Sequence, residues 1–199
     1  MARAQTKTTF DIDTYMTWEE TQAERHEYWA GEVFAMSGGT DAHYTITLNL
    51  AAILKASLSG SPCRPFVSGM KVQITTADAV LYPDVFVTCD SRDKMPEANL
   101  AKSHPVLIVE VLSNSTAAYD RSRKFELYQQ IPELQEYLLI EQDRQHADLF
   151  RKNTEGLWVL HPIHSGDTIE LNSLDQSILL VKLYEDVDFD QSRTERETA

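Results

Sequence analysis

Residues 105–113, Pro105-Val106-Leu107-Ile108-Val109-Glu110-Val111-Leu112-Ser113, form an apolar run with one carboxylate set inside it. Seven of the nine are apolar or proline, and the β-branched residues among them favour a strand packed on both faces. An ionised carboxylate in such a strand loses hydration worth several kcal/mol even after relaxation. A fold keeps Glu110 there only with a strong partner: a metal ion, a cation or a retained proton. Upstream stands a second apolar stretch with an acid at its entry, Tyr82-Pro83-Asp84-Val85-Phe86-Val87. Downstream, a helical pattern carries Lys124. Two acids on core strands with a lysine nearby are the residue types that metal-dependent phosphodiester hydrolysis uses.

Working outward, Thr17-Trp18-Glu19-Glu20 fits a capping box, with Thr17 as N-cap of a helix to about Trp29, closed by Gly31. Glu32 to Met36 reads as a short strand. Thr40 or Asp41 caps a second helix, whose Ile46, Leu50, Ile53, Leu54 and Leu58 fall at helical spacing. Gly60 and Pro62 stop it. Three strands follow: Arg64 to Thr75, Leu81 to Cys89 and Pro105 to Ser113. The polar stretch from Asp90 to His104 reads as a loop. Ser115 or Thr116 caps the helix that carries Lys124, and Pro132 ends it. Because Glu136 to Glu141 is again strand-like, this helix reads as the crossover between parallel strands. The remainder, to Tyr184, is β-rich. The expected fold is α/β (α+β): a mixed β-sheet flanked by helices, with a β-rich C-terminal extension. The expected organisation is a flexible arm over residues 1–13, one domain over 14–185 and an acidic tail over 186–199.

The chain has 199 residues, 42% hydrophobic and 25% charged, enough for one core. No apolar run reaches the roughly 18 residues that span a bilayer, and the N-terminus has no apolar h-region. A cytoplasmic protein is expected, with Cys63 and Cys89 as reduced thiols, since they match no zinc spacing or disulfide framework. The net charge of −13 argues against broad non-specific nucleic-acid binding. It is compatible with a carboxylate cluster that a bound ion neutralises.

The stretches Arg25-His-Glu-Tyr-Trp-Ala-Gly-Glu-Val, Met36-Ser-Gly-Gly-Thr-Asp-Ala-His43, Tyr82-Pro-Asp-Val, Leu107-Ile-Val-Glu-Val-Leu-Ser, Tyr119-Asp-Arg-Ser-Arg-Lys-Phe and Ile131-Pro-Glu-Leu-Gln-Glu-Tyr occur in this order. Over roughly residues 14 to 185 they resemble the Uma-type restriction endonucleases of the PD-(D/E)XK nuclease superfamily. The resemblance implies a restriction-endonuclease-like core and cleavage of DNA. It assigns Asp84 and Glu110 to Mg²⁺, with Mn²⁺ as a substitute, and implies a homodimer. The backbone carbonyl of Val111 would complete the protein's share of the ligands. Two departures stand out. Leu112 occupies the place of the superfamily lysine, and Lys124 on the next helix is the matching position. Gly69 stands where relatives often carry an acid, which would weaken metal binding.

Other readings are weighed beside these. Glu32, at a strand entry, is expected as a third acid near the metal. Glu27, read as helical, would pair with Arg25 or a lysine. His43 and Arg121 are candidate substrate contacts. A non-catalytic module of the same fold, binding protein or nucleic acid, is the alternative that the low pI, Leu112 and Gly69 motivate.

Overall fold

The computed structural model describes residues 11–113 and 116–189. Its centre is the strand β8, Pro105–Leu112, the run from which the sequence reading began. It lies inside a six-stranded mixed sheet. On one side β8 pairs antiparallel with β6 (Val85–Thr88), which pairs with the edge strand β3 (Arg64–Val67). On the other it runs parallel to β9 (Glu136–Glu141), followed by β10 (His146–Lys152) and β11 (Trp158–His164). The expected parallel crossover is therefore present.

Alternation along β8 divides its side chains between two layers. Leu107, Val109 and Val111 pack with Ile46, Leu50 and Leu54 of helix α2, Asp41–Ser57. Ile108 and Leu112 pack with Leu127, Tyr128 and Ile131 from the crossover segment. Each such fully buried side chain contributes about 1.5–3 kcal/mol. Glu110, even-numbered, belongs to the crossover side. The C-terminal hairpin β12 (Thr168–Leu171) and β13 (Gln176–Leu179) and the turn Leu180–Tyr184 add Ile169, Leu171, Ile178, Leu180 and Leu183 to the α2-side core.

A second sheet covers the crossover-side core, in the order β2 (Glu32–Ala35), β1 (His26–Trp29), β5 (Ala79–Leu81), β4 (Lys71–Ile74) and β7 (Ala101–Lys102). The chain passes between the two sheets twice at one place, at 68–70 and again at 82–84. There the Ser68 N–H donates to the Asp84 carbonyl at 3.0 Å.

Several sequence expectations are corrected. The first helix, α1, spans Ile12–Glu19 with Asp11 as its N-cap, so it begins inside the expected arm. Thr17 is interior to it and bonds back to the Asp13 carbonyl at 3.0 Å. The segment read as its second half is β1, hairpinned to β2 through Ala30 and Gly31, both with positive φ. Pairing across two sheets, invisible to local propensity, overrides the helical reading. The strands read as continuous over 64–75 and 81–89 each break at the passage between sheets. Ser115, a candidate cap, lies outside the described residues, as do 1–10 and 190–199. The described part of the expected tail packs: Val187 and Phe189 join the α2-side core.

The cysteines are not separate thiols. Cys63 and Cys89 are bonded to each other, one step beyond the register pair Arg64↔Thr88. Register across the β3–β6 ladder brings them together, and their sequence spacing does not encode register. Closing a loop of 26 residues stabilises the fold by about 3.5 kcal/mol on the chain-entropy relation. Urea unfolding with and without reductant should show this as a lower midpoint in the reduced chain. An unchanged midpoint, with both thiols then open to alkylation, would show that the ladder alone holds this edge.

Candidate active site

Continuing the register Val85↔Val109 by one step places Asp84 opposite Glu110. Cross-strand neighbours share a face and sit close. The two acids therefore meet at the end of β6, where the sheet opens at the passage between layers. Asp84 is held from both sides. Its Oδ2 accepts from the Val111 N–H at 2.8 Å. Its Oδ1 lies 3.0 Å from Nε2 of His43, in the first turn of α2. Since a carboxylate only accepts, Nε2 carries the proton. A Cβ on Gly39 would stand 2.7 Å from the His43 ring, so this glycine makes room for the imidazole. Nδ1 of His43 is buried with no partner among the described residues, so Asp84 is the ring's one polar anchor. In an extended strand a residue's N–H and C=O project to the same side, so the Val111 carbonyl is turned toward this same edge.

Lys124 comes from the crossover. This is helical over Ala117–Tyr119 (α3), widens into a π-turn over Asp120–Lys124, and resumes as α4, Phe125–Tyr128. Such π-turns are rare and concentrate at functional sites. Lys124 is only 6% exposed and Asp120 3%. The ammonium lies 3.0 Å from Glu110 Oε1, 3.0 Å from Glu27 Oε1 and 3.6 Å from Asp120 Oδ1. Tyr128, one turn on, donates to Glu110 Oε1 at 2.9 Å. Glu27, on β1, also accepts from the Tyr82 N–H at 3.2 Å, which ties the second sheet to the Asp84 strand.

Four carboxylates thus surround one ammonium and one imidazole. Burial pushes the Glu110 carboxyl well above the ordinary glutamate range; Lys124 pulls it down, while Asp84, Asp120 and Glu27 push it up. Asp120 is raised by burial in the same way, against the pull of Lys124. Burial also disfavours the Lys124 charge, but Glu110, Glu27 and Asp120 outweigh it and hold the lysine protonated well above its ordinary range. Burial first, and the neighbouring acids after it, therefore favour the protonated forms of Glu110 and Asp120.

The donor chemistry fits a hard cation: carboxylate oxygens and a backbone carbonyl at one strand end. Among the described residues no three His, Cys, Asp or Glu side chains form a ready cage. Mg²⁺ does not need one, since it binds through one or two carboxylates together with water and substrate phosphate.

The sequence reading named Asp84, Glu110 and Lys124, and the structure gathers them. Glu32 stands apart. It faces Trp29 in the hairpin register and forms no ion pair among the described residues. Glu27, five residues earlier on the facing strand of that hairpin, reaches the lysine instead. Arg121 is also drawn away, since it bonds Asp148 on β10 and lies 3.1 Å from Glu141 on β9. His43 meets Asp84. Asp120 and Tyr128 were missed. The signal available for both was their spacing of four from Lys124 on a helix already suspected of carrying the site.

The fold is of the restriction-endonuclease-like class. The chain belongs to the Uma2 family, described as "Putative restriction endonuclease", whose model matches residues 12–181. It is 39% identical over 177 residues to the uncharacterized protein slr1290 of Synechocystis sp., covering 89% of this chain and 92% of that one. The uncharacterized protein sll1609 of the same organism is 34% identical over 157 residues, covering 79% and 88%. A crystal structure from Anabaena variabilis, described as "a putative nuclease belonging to DUF820", superposes with a TM-score of 0.74 at 15% identity. It covers 88% of this chain and 98% of that chain, so the two share the fold.

Proposed function

We propose that this protein is a Mg²⁺-dependent endonuclease that hydrolyses phosphodiester bonds in DNA. The observation that carries the reading is the cross-strand pair Asp84–Glu110 with Lys124 brought to 3.0 Å of Glu110 from the next helix. Asp84, Glu110 and the Val111 carbonyl would hold the ion, Mg²⁺ or Mn²⁺. When bound, it supplies Lewis acidity toward phosphate and makes bound water more acidic. His43 and the Val111 N–H hold Asp84 in one orientation. Lys124 balances the acids, and in this reading its ammonium would turn from a carboxylate to a phosphoryl oxygen or an attacking water when substrate binds. A cytoplasmic location and a C2 dimer, one site per strand, complete the reading; sedimentation at several concentrations tests the dimer.

The test compares wild type with Asp84→Asn on plasmid DNA in Mg²⁺ or Mn²⁺, beside calorimetric Mn²⁺ titration. Wild type should nick or linearise the plasmid, and the variant should be about 100-fold slower, with a weakened Mn²⁺ isotherm. Indistinguishable proteins, neither binding Mn²⁺ saturably, would favour the non-catalytic module.

His43 gives a second expectation. His43→Ala should lower cleavage roughly tenfold, whereas His43→Gln, whose amide nitrogen can replace Nε2, should recover most of it. Equal losses in both would remove the imidazole's orienting role.

A further inference from the structure

The cations around the acid cluster are nearly all neutralised. Lys124 faces three carboxylates. Arg121 is held by Asp148 and Glu141. Arg123 lies 2.7 Å from Glu126 and over the Trp29 ring at 3.7 Å. Arg25 differs. It is exposed and forms no ion pair among the described residues. Glu27, for which the sequence offered Arg25 or a lysine as partner, is taken by Lys124.

The position of Arg25 is nevertheless fixed. Its guanidinium lies over the Tyr82 ring, 5.9 Å from the centroid. Its NH2 would be 2.9 Å from a Cβ on Gly69, so it occupies the space that any side chain at 69 would need. Gly69 also has a φ of +117°, a conformation that glycine accommodates. Both contacts lie where the chain passes between sheets. Tyr82 is two residues before Asp84, and Ser68, beside Gly69, donates to the Asp84 carbonyl. The guanidinium of Arg25 thus fills the space beside Gly69, next to the strand entry that carries Asp84.

We propose that Arg25 is a phosphate-binding residue that seats a nucleic-acid backbone beside Asp84 and Glu110. The proposal rests on the nuclease reading for its substrate class, but its evidence is separate. A polyanion approaching an acid-rich site in a chain of net charge −13 needs a compensating charge beside it. A guanidinium matches phosphate with two parallel N–H donors. Contact with the Tyr82 ring restrains that fork, and a guanidinium with no ion pair among the described residues gives up no carboxylate there to bind.

The experiment measures binding of short labelled single-stranded DNA, duplex DNA and RNA across a salt series, with Ca²⁺ in place of Mg²⁺ to hold back turnover. Arg25→Gln should weaken binding about tenfold irrespective of base sequence. It should also lower the slope of log K against log salt by about 0.7–0.9, the loss of one phosphate contact. Mn²⁺ affinity and thermal midpoint should not move. Arg25→Lys should keep the slope and lose only part of the affinity. Unchanged slope and affinity in Arg25→Gln would overturn the proposal, and so would weakened Mn²⁺ binding, which marks a structural prop. Wild type failing to bind any of the three would overturn it too. Binding without cleavage would leave Arg25 its role and count against the nuclease reading alone.

Discussion

Lys124→Met is expected to destabilise the fold by about 3–5 kcal/mol at pH 8 and to make its stability fall steeply as pH rises. Methionine fills similar volume, so the cost comes from charge and not from a cavity. The ammonium lies within 3.0–3.6 Å of Glu27, Glu110 and Asp120. Its loss leaves buried carboxylates facing one another. Glu110 and Asp120 already titrate above their ordinary values of 4.5 and 3.8 in the folded chain. Between those values and their raised ones the folded state holds more protons than the unfolded state. That part of the stability is complete below the ordinary carboxylate range and is lost as pH rises through the raised values. Lys124 pulls both groups down, so removing it raises them further and widens the window. Urea unfolding from pH 5 to pH 8 is the measurement. The deficit of Lys124→Met should be smallest at pH 5 and should shrink with added Mn²⁺ at pH 8. A deficit independent of pH would mean that the lysine contributes packing alone.

Glu110→Gln is expected to lower cleavage by about 10³-fold, roughly 4 kcal/mol of transition-state stabilisation, and to abolish saturable Mn²⁺ binding. Its stability at pH 8 should equal or exceed that of wild type. The fold penalises the charged form of Glu110, which is 3% exposed among other acids. A neutral isostere of the same shape escapes that penalty, while Lys124 keeps Glu27 and Asp120. Replacing buried ionic groups is often neutral or stabilising. Opposite movements of stability and activity would identify Glu110 as a residue kept against stability. A variant both inactive and strongly destabilised would assign it to the core instead. One still active would remove it from the site.

Much of the site was legible because burying a charge has a recognisable signature. An acid inside Val109-Glu110-Val111 has to be compensated, and Lys124 was the compensating group within reach, with Asp84 as a second acid facing it. Glu27 was misread because its segment has helical local features and becomes a strand only by pairing with β2 and β5. Glu32 was favoured because it opens a strand next to a glycine. The hairpin turn at Ala30 and Gly31 decides which of the two acids meets Lys124. Arg121, basic and one turn from Lys124, looked available for substrate until Asp148 and Glu141 arrived from β10 and β9.

The sequence by itself determined the central strand, the helix α2, the crossover and the buried acid at Glu110. Each rests on local periodicity or on the cost of a buried charge, both of which neighbouring residues express. Only the tertiary structure decided the break of two strands between two sheets, the Cys63–Cys89 bond, the choice of Glu27 over Glu32 and the lack of an ion pair to Arg25 among the described residues. Those depend on register and on which charges meet across layers. Register is set by the packing of whole sheets, and no local stretch of the chain carries it.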